Sequence, residues 1–230
     1  DKEGIELLRL SVRLAVETRD RFWDEPGNRG DRLRPLVAAS VGPYGAFLAD
    51  GSEYTGRYGI GDDDLRAFHQ RRWRILAASQ ADLLACETIP SQGETEVLLR
   101  LLEETPDKWA WMSFSCRDGK HLSDGSLLCD VAKTCDSEPK LAAVGINCTS
   151  PKFLPSLIAE ARKGTAKPIL VYPNSGERYD PGTRAWKPAP PAVNWEKASI
   201  EWRRLGAAGI GGCCRVGPDE IARMRRGLFT

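Results

Sequence analysis

The sequence has no long apolar run and no excess of charge of either sign, and each absence excludes a class of protein. No stretch approaches the roughly 18 apolar residues of a membrane-spanning helix, and the first residues do not resemble a secretory signal. Lysine and arginine (33) nearly balance aspartate and glutamate (32) over 230 residues, so the net charge is +1. We therefore expect a cytoplasmic protein with neither a membrane nor a nucleic acid as partner.

The sequence also lacks a regular cysteine framework. It has seven cysteines, an odd number, and they are scattered along the chain, which suits a reducing cytosol better than a disulfide-bonded secreted protein. No Cys-x-x-Cys occurs, which argues against thiol–disulfide exchange. No Gly-x-Gly-x-x-Gly follows an early strand, so the usual dinucleotide-binding fold has little support.

What the sequence does contain is an alternation of helical and extended apolar patterns. Seven helices are predicted, at 5–23, 62–79, 94–104, 126–135, 151–163, 194–205 and 218–228. Six short apolar strands are predicted between them, at 36–41, 83–86, 109–114, 141–146, 168–172 and 207–210. The longer connections 42–61 and 173–191 are predicted to be loops.

Strands of this kind are typical of a parallel sheet covered on both faces, in an open doubly wound fold or a (β/α)8 barrel. A complete barrel has eight βα units and about 250 residues. The sequence opens on a helix and shows six strands. We therefore expect an α/β protein forming one barrel domain over 1–230, with the first two βα units absent. Strands 36–41 and 207–210 should then border the gap.

Chemically reactive side chains follow every predicted strand, and in a barrel these positions meet at the rim that carries active sites. They are Ser40, Glu87 and Thr88, Ser113 and Ser115, Asn147 and Cys148, Tyr172 and Asn174, and Cys213 and Cys214. Any one of them has an ordinary structural explanation, and Glu87 could be a solvated loop carboxylate. Convergence from every strand favours a functional site.

The cysteines divide into two groups. Cys148 lies in Gly-Ile-Asn-Cys-Thr, and Cys213 and Cys214 lie in Gly-Gly-Cys-Cys-Arg, so three thiols follow two strands. Three thiolates can hold zinc and leave its fourth position open, as in catalytic sites. The other four cysteines are interpreted as small buried apolar residues, and His69 and His121 receive no role. These four are Cys86, Cys116, Cys129 and Cys135.

Taken together, these motifs resemble the homocysteine S-methyltransferases, zinc enzymes that use S-methylmethionine or S-adenosylmethionine as the methyl donor. The matching stretches are 37–46, 49–54, 82–90, 144–148, 171–177 and 210–215, which span nearly the whole chain in order. The resemblance implies a (β/α)8 barrel in which Cys148, Cys213 and Cys214 hold Zn²⁺. It also implies that Glu87 binds the amino group of homocysteine.

The implied reaction is methyl transfer from the sulfonium donor to the homocysteine thiol, giving methionine. The zinc-activated thiol is the nucleophile, so no separate catalytic residue is expected. Candidate substrate-binding residues are Glu87, Asn147, Ser40 and Asn174. The loop aromatics Tyr44, Phe47 and Tyr54 could either cover the loop or attract a sulfonium through cation–π contacts.

The family's Asp-Gly-Gly-type motif and its second Thr/Ser-Tyr-type motif have no counterpart in this sequence. An alternative is therefore a non-catalytic zinc-binding or thiol redox-sensing protein derived from the same fold. The motifs select neither methyl donor and do not indicate an oligomeric state.

Overall fold

The computed structural model describes residues 2–30, 32–180, 182–183, 185–187 and 193–229. Its helices are α1 (Lys2–Asp24), α2 (Tyr44–Leu48), α3 (Asp62–Ala77), α4 (Gln92–Glu103), α5 (Leu128–Asp136), α6 (Leu154–Gly164), α7 (Trp195–Arg204) and α8 (Pro218–Phe229). Its strands are β1 (Ala38–Val41), β2 (Leu83–Ile89), β3 (Ala110–Phe114), β4 (Leu141–Asn147), β5 (Ile169–Tyr172), β6 (Arg178–Asp180), β7 (Ala185–Lys187) and β8 (Ala207–Ile210). No described helix is long and apolar enough to cross a bilayer.

Six strands form one parallel sheet in the order β1-β2-β3-β4-β5-β8. Each strand pairs with the next one of this sheet along the chain, whereas a doubly wound fold reverses direction at a switch point. Within the described residues β1 and β8 are the two edges, as predicted from the pattern. The prediction of an α/β fold with a parallel sheet is confirmed.

The central strands β2, β3 and β4 are largely buried on both faces, which explains why their sequences are apolar rather than alternating. Leu84, Val144, Ile146 and Val171 have no exposed surface. In β4, all seven residues except Ala142 are buried. Helices cover the outer face of the sheet, so the chemically reactive residues are confined to the strand ends.

Two segments predicted as loops contain regular structure. The connection 42–61 includes the five-residue helix α2 and a 3-10 turn at Ser52–Tyr54. The connection 173–191 includes β6 and β7, which form an antiparallel hairpin, while its last residues lie outside the described part of the chain. Elements this short contain too few residues to show a period, so the sequence pattern missed them.

One strand is longer than predicted. β2 continues past Cys86 to Ile89, with a shift of register against β3 between those two residues. Glu87 and Thr88 therefore belong to the strand itself. Both fall within that shift, so neither is paired in register with β3.

Candidate active site

Three thiols meet at the carboxyl end of the sheet. The Sγ atom of Cys148, which directly follows β4, lies 3.5 Å from Sγ of Cys214. The Sγ atoms of Cys213 and Cys214 lie 3.9 Å apart, and all three sulfur atoms lie within 4.8 Å of one another. Two segments 66 residues apart in sequence thus build one cluster.

The end of β5 brings these two segments together, because β5 lies between β4 and β8 in the sheet. The backbone N–H of Cys148 donates to the carbonyl of Tyr172 (3.2 Å), and that of Cys213 donates to the carbonyl of Pro173 (2.8 Å). On the other side, the N–H of Ser175 donates to the carbonyl of Cys214 (3.1 Å). The cysteine backbones are therefore held by main-chain bonds.

The cluster has the dimensions of a zinc site. Sulfur lies about 2.3 Å from zinc, so two thiolates of a tetrahedral site lie about 3.8 Å apart. The two measured Sγ–Sγ distances, 3.5 Å and 3.9 Å, bracket that value. Three sulfur donors also match the softness of zinc and leave a fourth position for a substrate. The residues present therefore fit a catalytic zinc ion.

The thiol cluster also stabilises negative charge on one of its sulfur atoms. Cys148 donates its S–H to the sulfur of Cys214, and hydrogen bonds from Cys148 and Cys213 lower the pKa of Cys214 to about 3. Hydrogen bonds with Cys213 and Cys214, together with burial, raise the pKa of Cys148. One of the three sulfur atoms is thus prepared to be a thiolate, the form that binds metals.

Glu87 lies on the same rim, two strands away from β4. Its Oε1 accepts a hydrogen bond from Ser40 Oγ at 2.6 Å, so two residues predicted to bind substrate are in direct contact. Tyr172 lies nearby, where burial and the charge of Glu87 raise its pKa. Its hydroxyl accepts from Trp111 Nε1 at 2.9 Å and is paired with Ser113 Oγ.

The two predicted asparagines are buried and make several hydrogen bonds within the protein. Asn174 donates from Nδ2 to the carbonyl of Cys148 (3.3 Å) and accepts from the N–H of Gly176 (2.9 Å). Asn147 has no exposed surface, and its side-chain amide contacts Thr88, Ser113 and Cys213. Both amides are therefore part of the walls that carry the cysteines.

A cavity of about 710 Å³ opens beside Cys148. Aromatic, cationic and acidic side chains line it, a mixture suited to a charged organic molecule. Those relevant here are Tyr54, Phe153, Trp186, Arg117, Lys152 and Glu177. Tyr54 reaches the thiols: its hydroxyl is hydrogen-bonded to Cys148, and this bond adds to burial in raising the pKa of Tyr54.

The predicted aromatic loop divides into two parts. Tyr54 faces the cavity, whereas Tyr44 and Phe47 pack against Phe68 of α3 with ring centroids 4.8 Å and 5.3 Å away. Phe47 remains 68% exposed. Tyr44 and Phe47 thus attach the loop to a helix, while Tyr54 reaches the thiols.

Sequence reasoning missed the buried group that anchors this loop. Glu94 and His69 have no exposed side-chain surface and lie 2.8 Å apart, Oε1 to Nε2. Glu94 also accepts from the N–H of Tyr44 (2.7 Å) and from the hydroxyl of Tyr58 (2.9 Å). A glutamate in the first turn of a helix is usually solvated, so the sequence offered no signal for this role.

The remaining four cysteines only partly match their prediction. Cys86 and Cys135 are buried, as expected of small apolar residues. Cys116 and Cys129 are only partly buried, and Cys116 lines the cavity. Burial raises the pKa of Cys116, so its thiol stays protonated.

Comparisons with known proteins agree with this geometry. The chain matches the family described as "Homocysteine S-methyltransferase" over residues 1–228. It is 49% identical over 233 residues to the homocysteine S-methyltransferase YbgG of Bacillus subtilis, covering 100% of this chain and 74% of that protein. It is also 44% identical over 234 residues to a selenocysteine Se-methyltransferase of Brassica oleracea, covering 97% and 68%.

A solved structure gives the same result for the fold. The metallated form of the homocysteine methyltransferase MmuM from Escherichia coli matches with a TM-score of 0.84 and 39% sequence identity. The match covers 96% of this chain and 70% of that one.

Proposed function

The chain belongs to the homocysteine S-methyltransferase family, and from this we propose that it transfers a methyl group from a sulfonium donor to the thiol of homocysteine. In this reaction the carbon–sulfur bond of the sulfonium breaks and a new one forms on the homocysteine sulfur. The donor leaves as a neutral thioether, the thiol proton is released, and methionine is the product. The observation that carries the proposal is the three-sulfur cluster at the rim of the sheet.

Cys148, Cys213 and Cys214 are proposed to hold Zn²⁺. When bound, zinc would supply Lewis acidity that keeps the substrate thiol deprotonated and orients its sulfur. The protein's own contribution is to hold the three sulfur atoms within 4.8 Å of one another through the main-chain bonds to the end of β5.

Glu87 is proposed to bind the α-amino group of homocysteine. Its carboxylate lies at the rim on β2, where the hydroxyl of Ser40 donates to one of its oxygens and fixes the direction of the group. A carboxylate oriented by a neighbouring hydroxyl binds an ammonium in one direction, so the thiol of the same molecule is directed toward a defined place.

The cavity beside Cys148 is proposed to bind the methyl donor. Arg117 and Lys152 are suited to its carboxylate, and the aromatic rings of Tyr54 and Trp186 to its sulfonium, since cation–π contacts contribute roughly 0.5–2 kcal/mol. Because Tyr54 contacts Cys148, a sulfonium beside this ring would lie next to the homocysteine sulfur that accepts the methyl group. S-methylmethionine and S-adenosylmethionine are both candidates.

We also propose that residues 1–230 belong to one domain of (β/α)8 type. The sequential strand order supports this, as does the position of β1 and β8 at the two edges of the sheet. In a closed barrel these are the edges that further strands would pair with.

The experiment on the metal centre compares wild-type protein with Cys213→Ser and Cys129→Ser after reconstitution with zinc. Cys129 is a partly buried cysteine outside the cluster, so it serves as the matched control. Wild type and Cys129→Ser should bind one zinc and methylate homocysteine with one of the two donors, whereas Cys213→Ser should lose both properties. Methyl transfer at the wild-type rate by Cys213→Ser would contradict the proposal.

The donor site is tested by Arg117→Ala against Arg100→Ala. The two side chains are 48% and 47% exposed, but Arg100 pairs with Asp62 rather than lining the cavity. Arg117→Ala should raise the KM for the donor about 10- to 100-fold, because a hydrogen bond to a charged group contributes about 1.5–3 kcal/mol, and should leave the KM for homocysteine unchanged. If Arg117→Ala leaves the KM for the donor unchanged, the donor does not bind in the cavity beside Cys148.

The alternative of a non-catalytic zinc-binding or redox-sensing protein is not favoured, because the matching relatives are named as methyltransferases. If the protein took up zinc but transferred no methyl group from either donor, the non-catalytic alternative would be favoured instead.

A further inference from the structure

The side-chain amide of Asn147 makes four hydrogen bonds. Its Oδ1 accepts from the backbone N–H of Thr88 (2.8 Å) and from Ser113 Oγ (2.9 Å). Its Nδ2 donates to Thr88 Oγ1 (2.7 Å) and to Cys213 Sγ (3.9 Å). A primary amide has two donors and two acceptor sites, so nothing is left over to bind a substrate directly.

Two of these bonds engage Thr88, which has an unfavourable backbone conformation. Its φ is 64°, in the left-handed region that β-branched residues avoid. Such a conformation costs about 1–3 kcal/mol and persists only where the surroundings impose it. The side-chain amide of Asn147 is hydrogen-bonded to both the N–H and the hydroxyl of Thr88. This amide is therefore the contact that imposes the left-handed conformation on Thr88.

Thr88 directly follows Glu87, and both residues lie where the register of β2 shifts, between Cys86 and Ile89. The same amide that holds Thr88 also donates to Cys213, one of the three clustered thiols. Asn147 therefore connects the carboxylate at the end of β2 with the sulfur cluster beyond β4.

We propose that Asn147 is a positioning residue that holds Thr88 in its left-handed conformation and thereby aims the Glu87 carboxylate at the amino group of homocysteine. This inference rests on the proposed function for the identity of the ligand. It assigns Asn147 a role through Thr88 and Cys213 rather than through substrate contact.

The first test uses a rescue. Asn147→Ala should raise the KM for homocysteine about 10- to 100-fold, the usual effect of losing a residue that orients a ligand-binding group. The donor KM should change little. The double variant Asn147→Ala with Thr88→Gly should have a KM for homocysteine much closer to the wild-type value, because glycine adopts a positive φ without support. A residue with a merely structural role would not be rescued at position 88.

A second pair of variants tests the hydroxyl. Thr88→Val keeps the shape and the N–H but removes the acceptor for Nδ2, so it should raise the KM for homocysteine in the same way. Thr88→Ser keeps the hydroxyl and should retain the wild-type KM. If Asn147→Ala does not fold, the comparison of Thr88→Val with Thr88→Ser still tests the proposal, and equal KM values for homocysteine in the two variants would contradict it.

A third measurement needs no activity. Hydrogen exchange in the metal-free protein should show the Thr88 amide exchanging at least about tenfold faster in Asn147→Ala than in wild type, because its acceptor is gone. The amide of Leu84 donates to the carbonyl of Trp109 at 2.9 Å in the same strand and should keep its rate, as the internal control.

Three results would overturn the inference: an unchanged homocysteine KM in Asn147→Ala, equal values for Asn147→Ala with and without Thr88→Gly, or an unchanged Thr88 exchange rate. Failure of the proposed function is distinguishable from these. In that case wild type transfers no methyl group, while the exchange measurement still reports on the contact between Asn147 and Thr88.

Discussion

Gly45 occupies a position where a single methyl group should disturb the thiol site from a distance. It lies in α2, packed against the 3-10 turn Ser52–Tyr54. A Cβ added there would lie 2.3 Å from the backbone nitrogen of Glu53 and 2.7 Å from the carbonyl carbon of Ser52. Both are main-chain atoms, so no change of rotamer can relieve the overlap.

The required movement follows from these distances. Ordinary contact begins near 3.4 Å, so the turn must shift by about 1.1 Å, the difference between 3.4 and 2.3 Å. Overpacking of this kind costs about 1–3 kcal/mol, against a gain of up to about 1 kcal/mol for alanine over glycine in a helix. Gly45→Ala should therefore lower the free energy of unfolding by up to about 2 kcal/mol.

The larger effect should be on activity. The turn carries Tyr54, whose hydroxyl is hydrogen-bonded to Cys148 and whose ring lines the proposed donor cavity. Misplacing a positioning group by 1 Å can cost about 100-fold in rate. We expect a fall in kcat/KM for the donor that approaches this value.

The assay is urea unfolding followed by steady-state methyl transfer, with Gly93→Ala as the matched control. Gly93 also lies in a helix, but the nearest atom to an added Cβ is 4.0 Å away. Gly93→Ala should keep wild-type kinetics and should raise the free energy of unfolding by up to about 1 kcal/mol, the helix gain without the overlap. If Gly45→Ala behaves like Gly93→Ala in both measurements, the close packing of α2 on the turn is refuted.

Three further predictions concern two carboxylates, Glu87 and Glu94, and the tyrosine Tyr58 that donates to Glu94. Glu87→Ala should raise the KM for homocysteine about 10- to 100-fold through loss of a charged hydrogen bond of about 1.5–3 kcal/mol. Zinc content by elemental analysis should stay unchanged, and an unaltered KM would reject the assignment. Glu94→Gln should lower the free energy of unfolding by about 1–3 kcal/mol, because both oxygens of Glu94 accept hydrogen bonds, from the N–H of Tyr44 and the hydroxyl of Tyr58, whereas the amide has one acceptor oxygen. Tyr58→Phe removes a single hydrogen bond and should cost only about 1 kcal/mol in the same urea titration. Equal losses in these two variants would contradict the buried network.

The sequence by itself determined the fold class and the identity of the metal-binding candidates. Apolar periodicity is a local property, so helices and strands of the parallel sheet could be predicted to within a few residues at most ends. The Gly-Gly-Cys-Cys-Arg and Gly-Ile-Asn-Cys motifs marked Cys148, Cys213 and Cys214, because three thiols follow two predicted strands and both motifs resemble those of the methyltransferase family. The pattern also placed β1 and β8 at the edges of the sheet.

Only the tertiary structure decided which polar residues work together. Tyr44 and Tyr54 belong to the same aromatic loop, yet one packs on α3 and the other reaches Cys148. Composition cannot separate them, because their directions depend on how the loop is anchored by Glu94, a residue of another helix. The sequence likewise gave no reason to pair Asn147 with Thr88, which lies 59 positions earlier.

The physical reason is that these contacts arise from the alignment of parallel strands that are distant in sequence. β5 lies between β4 and β8, so the thiols of Cys148 and Cys214 come within 3.5 Å although 66 positions separate them. Local patterns state which side chains each strand end carries. Strand order and register decide which of them share hydrogen bonds, and therefore which backbone conformations, including the positive φ of Thr88, can be held in place.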